Sequence, residues 1–181
     1  MIKTQDRTVS QITQEDFKIA LQPKYQGAIN IYNAFYNTDL DFSIKLSSLC
    51  GIVGTLGQSN YAAGGTYQDM FAHAQLSAGN SKLVTLDFPW IKSTYSVTEE
   101  YIYSLRRQGV PLLPIEAALP VIDYAMSGKA FKDGNHQIAL GLDPQSFTHQ
   151  ARQGGRIPPL VSHITSNRGR GLARHADQER G

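Results

Sequence analysis

The sequence predicts an α/β fold in which a parallel sheet carries helices on its faces. Three short apolar segments have the length and composition of strands: "LDFSIKLSSL" at 40–49, "SKLVTLDF" at 81–88 and "HQIALGL" at 136–142. Helical patterns precede the first segment and separate each from the next, and this alternation indicates parallel strands joined by helices. Ligands of such sheets bind at the carboxyl ends of the strands, so Ser48 and the loop after Asp87 lie where a site is expected.

The first helix is predicted from a capping signal. Thr13 stands three residues before Asp16, and apolar residues follow at helical spacing. Pro23 should kink this helix or restart it, because proline removes a backbone donor and clashes with the preceding turn. The second part carries an apolar stripe that is predicted to lie in the core, formed by Ile29, Tyr32, Phe35 and Tyr36.

Three further helices are expected. The first covers "SNYAAGGTYQDMFAHAQLSAGN" at 59–80, stops at its Gly-Asn end and carries His73 on its surface. The next runs from Thr98 through Leu105, and the last covers "LPIEAALPVIDYAMSG" at 113–128. The residues of the 59–80 helix that are predicted to point inward are Tyr61, Met70, Phe71 and Ala74.

The first strand contains a residue that does not suit a buried sheet. Period-two alternation places Phe42, Ile44, Leu46 and Ser48 on one face and Lys45 on the other. Both faces of a parallel strand are normally buried, so the Lys45 ammonium must reach solvent, find a partner or destabilise the fold.

Two hydroxyl residues lie on either side of a glycine-containing loop. Ser48 and Tyr61 are 13 residues apart, which allows a strand end, a loop and a first helical turn to bring them into one cleft. A tyrosine acts as a general acid toward a carbonyl when a nearby cation lowers its pKa, and Lys24 is the candidate cation. From these residues alone, the alternative remains that Tyr61 only packs its ring and Ser48 only caps a loop.

The composition excludes several other functions. The chain has 181 residues and a net charge of +2, and its single cysteine, Cys50, cannot form an internal disulfide. No histidine is placed beside Cys50 by any motif, so a buried thiol is expected rather than a nucleophile. No cluster has metal-ligand spacing, no G-x-S-x-G surrounds a serine, and no run reaches the roughly 18 apolar residues of a membrane span. We therefore expect a cytoplasmic protein without a metal.

The charge divides the chain into two regions. Residues 150–181 hold six arginines against two acidic residues, whereas residues 1–149 carry a net charge of −2. A basic tail can bind RNA phosphates, but this one has no aromatic residue on which bases could stack. We therefore predict a globular region at 1–149, a disordered tail at 150–181 and no nucleic-acid partner.

The stretch "FSIKLSSLCGIVGTLGQSNYAAGGTYQDMFAHAQ" resembles the core of the ketoreductase domains of polyketide synthases, especially the highly reducing synthases of fungi, in the short-chain dehydrogenase/reductase superfamily. The "GQSNYAAG" element after an "LSS" strand is specific to that family. Upstream, "ALQPKYQGAIN" is similar to its lysine-bearing helix, and "VTLDF" and "GLDP" continue the resemblance downstream. The implied fold is the C-terminal half of a Rossmann-like, doubly wound parallel sheet.

The resemblance implies a role for each candidate residue. Tyr61 would donate a proton to the ketone, and Ser48 would hold the ketone oxygen. Lys24 would lower the pKa of the phenol and contact the nicotinamide ribose, while Pro89 lies in the loop beside the nicotinamide and Ser47 is a bystander. The implied reaction is the reduction by NADPH of a β-ketoacyl thioester on an acyl carrier protein to the β-hydroxyacyl thioester.

The sequence departs from the family pattern at three points. Gly65 stands four residues after Tyr61, where the family has asparagine, and Pro89 stands where the family usually has glycine. No strand is followed by the G-x-G-x-x-G turn of a nucleotide-binding half, so a chain or domain that supplies this half is an expected partner. The strand that carries Ser48 would then expose an edge. The alternative function is a non-catalytic remnant or interaction module of the same fold.

Overall fold

Helices and strands alternate along the chain. The computed structural model describes residues 5–79, 82–92, 99–100, 102–103 and 112–142. The helix predicted from Thr98 through Leu105 begins and ends outside these residues, and the tail at 150–181 lies outside them as well. The described elements are α1 (Gln14–Ala34), β1 (Ser43–Ser48), α2 (Cys50–Val53), α3 (Ser59–Ser77), β2 (Leu83–Phe88), α4 (Ile115–Met126), α5 (Lys129–Lys132) and β3 (Gln137–Ala139).

The three strands form one parallel sheet in the order β1-β2-β3. β2 is the central strand, and its residues from Leu83 to Asp87 are all buried. β1 lies at the edge of the described sheet, with Ser48 in register with Phe88 at the carboxyl end. The predicted α/β class with parallel strands is confirmed.

The sheet separates an apolar layer from a partly polar one. Because side chains alternate along a strand, Val84 and Leu86 face α4 and α5, while Thr85 and Asp87 face α3. Helices α1 and α3 pack on each other over this second face. The fully buried members of the apolar layer are Val84, Leu86, Ala125 and Ala130, against which Ile44, Phe88, Val121, Ile122, Tyr124, Phe131 and Ile138 pack.

Helix α1 begins as predicted but does not break where predicted. Thr13 caps it, since the amide of Asp16 donates to Thr13 Oγ1 at 3.1 Å while the Thr13 amide donates to the Asp16 carboxylate at 3.2 Å. Pro23 lies inside the continuous helix, so the prediction that the helix restarts there was wrong. The packing of α1 along α3 compensates for the single hydrogen bond that proline removes. Phe35 and Tyr36, predicted to be core residues, lie beyond the end of the helix and are exposed.

Three side chains differ from their predicted environments. Met70 and Ala74 are exposed, although the helical pattern placed both inward. His73, predicted on the surface, is half-buried, and its Nε2 lies 3.0 Å from Gln137 Oε1 on β3.

Lys45 is only 8 % exposed, and its Nζ lies 5.2 Å from the centroid of the Phe71 ring. The buried Lys45 ammonium therefore makes a cation–π contact with the Phe71 ring.

Candidate active site

The two hydroxyl residues meet at the carboxyl edge of the sheet. Ser48 is the last residue of β1, and Tyr61 lies in the first turn of α3. The loop between them turns back at Gly54 and Gly57, which have φ angles of 77° and 80° that glycine adopts without strain. The Ser48 hydroxyl lies beside the Tyr61 phenol, close enough to affect its ionisation, and Ser48 Oγ accepts from the Cys50 amide at 3.2 Å. The structure thus brings these two predicted residues together.

A buried asparagine fixes the start of α3. Asn60 Oδ1 accepts from the Tyr61 amide at 2.8 Å, and Asn60 Nδ2 donates to the backbone oxygen of Asp16 at 3.3 Å. Its side chain is completely buried. Asn60 therefore ties the turn that carries Tyr61 to the start of α1. Sequence reasoning missed this role, although Asn60 lies within the "GQSNYAAG" element.

Lys24 reaches the same cleft from the middle of α1. Its Nζ lies 4.9 Å from the centroid of the Tyr61 ring and donates a hydrogen bond to Gln68 Oε1 at 2.8 Å. The stem of Lys24 crosses Gly64, where a Cβ would lie 2.6 Å from Lys24 Cδ. Tyr61, Ser48 and Lys24 are therefore grouped as the sequence predicts, with Gln68 as an additional contact.

The pKa values show how burial dominates this group. Burial raises the pKa of Tyr61, and the hydrogen bond from Ser48 opposes this effect. Burial lowers the pKa of Lys24, against the charges of Asp69 and Asp87. The resemblance implies that Lys24 lowers the pKa of the phenol, but here the ammonium packs on the ring and directs its hydrogen bond to Gln68. Tyr61 is therefore held as the neutral phenol, the form that can donate a proton.

The glycine at position 65 has a packing reason. A Cβ on Gly65 would lie 3.3 Å from Gly51 Cα and 3.5 Å from Ser47 Oγ, so α3 approaches α2 closely here. Ser47 Oγ donates to the Gly65 carbonyl at 3.3 Å, and Thr66 Oγ1 donates to the Gly51 carbonyl at 3.0 Å. An asparagine at position 65 would have to displace these neighbours by a few tenths of an ångström.

Pro89 follows β2 and is buried. It lies on the same edge of the sheet as Ser48, because the Leu49 amide donates to the Phe88 carbonyl at 3.1 Å. Residues 93–98 lie outside the described part of the chain. The position of Pro89 is compatible with a place beside a bound nicotinamide.

A buried carboxyl pair lies behind this site. Asp69 on α3 and Asp87 on β2 lie next to each other, with the Ser47 hydroxyl of β1 beside both carboxyls. Gln137 Nε2 donates to Asp87 Oδ2 at 2.8 Å. Burial, with the neighbouring Asp87, raises the pKa of Asp69 to about 7. Burial also raises the pKa of Asp87, against the hydrogen bonds from Gln137 and Ser47.

Sequence reasoning missed this pair. Its sequence signal was an aspartate at the end of the otherwise apolar strand "LVTLDF". Ser47 faces away from Ser48, as predicted, but it is more than a bystander because its hydroxyl joins β1 to α3 through the Gly65 carbonyl and lies beside both carboxyls.

The remaining candidates behave as small structural groups. Cys50 is buried, its Sγ lies 4.0 Å from the Gln58 carbonyl, and burial raises the pKa of the thiol. This environment agrees with the prediction of an unreactive buried thiol.

The described residues include no group of three or more His, Cys, Asp or Glu side chains suited to a metal ion. No described helix is both long enough and apolar enough to cross a membrane.

Comparisons with known proteins place this arrangement in a family. The family model described as the KR domain matches residues 2–92. The highly reducing polyketide synthase ltbA of Aspergillus luteorubrus is 31% identical over 176 residues, which cover 91% of this chain and 6% of that protein. The lovastatin diketide synthase mokB of Monascus pilosus is 40% identical over 125 residues, which cover 67% of this chain and 5% of that protein.

A solved structure agrees with these relatives. The ketoreductase PlmKR1, from the first module of phoslactomycin biosynthesis in Streptomyces sp. HK803, superposes with a TM-score of 0.72 at 25% identity, covering 88% of this chain and 36% of that one. The fold is thus that of the short-chain dehydrogenase/reductase class. The chain belongs to the KR domain family, the ketoreductase domains of polyketide synthases. It spans about a third of that ketoreductase structure and about a twentieth of the synthases.

Proposed function

We propose that this chain takes part in polyketide biosynthesis by reducing a β-ketoacyl thioester to a β-hydroxyacyl thioester with NADPH, as a portion of a larger synthase. The observation that carries the proposal is the grouping of the Ser48 hydroxyl and the Tyr61 phenol at the carboxyl edge of the sheet, with the Lys24 ammonium 4.9 Å from the centroid of the Tyr61 ring. The substrate would be presented by an acyl carrier protein, and the setting would be the cytoplasm. Residues 1–149 would form the ketoreductase region and residues 150–181 a tail.

Each residue of the group has a distinct task in this proposal. The Tyr61 hydroxyl donates its proton to the ketone oxygen as the carbonyl is reduced, and the Ser48 hydroxyl holds that oxygen by a hydrogen bond. Lys24 stabilises the tyrosinate that this transfer leaves, because its ammonium is already next to the ring. NADPH, when bound, supplies the hydride.

The residues present fit the nicotinamide end of that cofactor. Lys24 and Tyr61 share one cleft, and Pro89 lies on the same edge of the sheet. The pyrophosphate needs backbone donors at a helix N-terminus after a glycine-rich turn, and this sequence contains no G-x-G-x-x-G. A chain or domain that supplies the nucleotide-binding half is therefore part of the proposal, and the free edge of β1 is available for it.

The second candidate is a non-catalytic remnant or interaction module. The observation that favours it is the glycine at position 65, which offers no amide beside Tyr61, together with the raised pKa of the phenol. Under this interpretation, the Ser48–Tyr61 pair only records descent from a reductase.

One experiment separates the two candidates. The purified full chain is titrated with NADPH, and binding is followed by nucleotide fluorescence and by thermal shift. Reduction of a β-ketothioester is then assayed with Tyr61→Phe as the matched variant, alone and with a separately expressed nucleotide-binding half. Saturable binding and reduction that Tyr61→Phe abolishes would support the enzymatic proposal. A folded chain that neither binds millimolar NADPH nor reduces the thioester with the added half would support the remnant.

A further inference from the structure

The partner of the Lys24 ammonium is a residue that the resemblance does not assign. Lys24 Nζ donates to Gln68 Oε1 at 2.8 Å, which is a short hydrogen bond for a charged donor. The group is partly buried, and burial lowers the pKa of Lys24. An acceptor for the ammonium therefore has more effect here than it would have in water.

The surface of α3 is shaped to receive Lys24. Tyr61, Gly64 and Gln68 follow one another at spacings of three and four residues, so they form one stripe along the helix. The aromatic ring lies at one end of this stripe and the amide at the other, 4.9 Å and 2.8 Å from Nζ. Between them, the bare backbone of Gly64 lies under the methylenes of Lys24.

The other groups that face Lys24 leave room for such an acceptor. Asp69 lies on α3, the helix that carries Gln68, and Asp87 lies on β2. Both favour the charged form of Lys24 through their own charges, and Cys50 on α2 does so to a smaller extent. Lys24 has no salt bridge with any of the described carboxylates. The hydrogen bond to Gln68 is the polar contact that defines where the ammonium lies.

We propose that Gln68 is the positioning residue for Lys24, and that its amide oxygen serves this site in place of the asparagine amide absent at position 65. The inference rests on the proposed function for its catalytic meaning, since Lys24 acts there through Tyr61. Its structural content is independent of that function: Gln68 holds the ammonium against the ring of Tyr61 and favours its charged form.

The test titrates Lys24 directly. The full chain is labelled with ¹³C-lysine, and the Lys24 ε-carbon signal, assigned with Lys24→Arg, is followed against pH by NMR. Gln68→Leu removes the acceptor and Gln68→Glu keeps it with a negative charge. Gln26→Leu is the matched control, because Gln26 Nε2 donates instead to Asn30 Oδ1 at 2.8 Å on α1. Circular dichroism confirms that each variant is folded.

The expected change in the pKa of Lys24 has a defined direction for each variant. Gln68→Leu should lower the pKa of Lys24 further, Gln68→Glu should raise it, and Gln26→Leu should leave it as in the unmodified chain. Titration curves that coincide for the unmodified chain and Gln68→Leu would overturn the proposal. If Gln68→Leu does not fold, a Gln68→Glu variant with an unchanged Lys24 titration would overturn it equally.

Kinetics add an arm that depends on the proposed function. With the nucleotide-binding half supplied, Gln68→Leu should lower kcat about tenfold with little change in the KM of the ketone, and Gln68→Glu should recover part of the loss. A chain that shows no reduction in any form would contradict the proposed function. The NMR titration would still decide whether Gln68 positions Lys24.

Discussion

Lys24 crosses α3 at Gly64, so closely that a Cβ on this glycine would lie 2.6 Å from Lys24 Cδ. Glycine inside a helix costs about 1 kcal/mol relative to alanine. Here it provides the space in which a lysine from α1 passes between Tyr61 and Gln68. The two adjacent glycines, Gly64 and Gly65, lower the helix propensity of this part of α3, and the cleft depends on the first of them.

Replacing Gly64 by alanine should damage the site more than the fold. The propensity gain of about 1 kcal/mol offsets part of the overlap with the flexible lysine, so the free energy of unfolding should change by less than about 1 kcal/mol. The Lys24 signals should shift and the contact with Gln68 should be lost. Chemical denaturation and NMR of the full chain measure the two effects.

Gly27→Ala on α1 is the matched control, because a Cβ there would meet no atom within 4 Å. This variant should gain about 1 kcal/mol in stability and leave Lys24 unchanged. A Gly64→Ala variant that behaves in the same way would show that Lys24 does not cross the helix at this point.

The carboxyl pair should make stability depend on pH. Asp69 keeps its proton up to about pH 7 in the folded chain, whereas an unfolded aspartate loses it near pH 4. Between these values the folded state binds more protons than the unfolded state, so the free energy of unfolding decreases as the pH rises from about 4 to about 7.

Asp69→Asn should remove most of this decrease. Urea denaturation at pH 4.5 and at pH 7.5 measures it, and Asp123→Asn on the exposed surface of α4 is the control for the same chemical change outside the pair. Equal pH dependence in the unmodified chain and in Asp69→Asn would mean that Asp69 does not hold the proton.

Lys45→Met should stabilise the chain. Burial lowers the pKa of Lys45, so the ammonium is less favourable in the folded state than in the unfolded state at neutral pH. Methionine keeps the length of the stem and its contact with Phe71, and we expect a gain of about 1 kcal/mol or more in the free energy of unfolding.

The control for this change is Lys82→Met, in which the exposed ion pair of Lys82 with Asp39 at 2.6 Å is lost. Such pairs contribute about 0–1 kcal/mol, so Lys82→Met should be neutral or slightly destabilising. A loss of stability in Lys45→Met at pH 7 would show that the cation–π contact with Phe71 outweighs the cost of burying the ammonium.

Leu46 should promote self-association of the chain. It is 59 % exposed on β1, the edge strand of the described sheet, and an exposed apolar edge favours pairing with a second chain. Leu46→Lys should therefore lower the association constant, measured by sedimentation velocity across a concentration series. Leu119→Lys on α4, where the leucine is also exposed but lies on a helix, is the matched control. Equal association of the unmodified chain and both variants would exclude the edge of β1 as the contact.

Local patterns predicted the elements that carry the site. The capping box at Thr13, the strand that ends at Ser48 and the helix that begins before Tyr61 all follow from spacing and residue type, and the structure has them. Lys24 was the candidate cation for Tyr61 and the resemblance implied the same role, but no local pattern relates α1 to α3, so the contact itself could not be derived from spacing.

The parts that were missed depend on contacts distant in sequence. Whether Pro23 breaks α1 depends on how α3 supports it, and the partner of Lys24 depends on the angle at which the two helices cross. The pairing of Asp69 with Asp87 brings a helix residue next to a strand residue, so neither residue alone predicts the raised pKa of Asp69.

The two adjacent serines, Ser47 and Ser48, affect how β1 is aligned with β2 when the sheet forms. Sliding β1 by one residue along β2 would exchange Ser47 and Ser48, and so would direct the Ser48 hydroxyl toward the carboxyl pair. The same slide would expose Lys45 and bury Leu46, which hydrophobicity alone favours. The observed alignment instead keeps the Lys45 ammonium against the Phe71 ring and leaves Leu46 exposed, against the preference of these two side chains. The alignment of the strand that ends at Ser48 thus conflicts with the strand's own hydrophobic pattern, and a neighbouring strand that covers Leu46 would reduce this conflict.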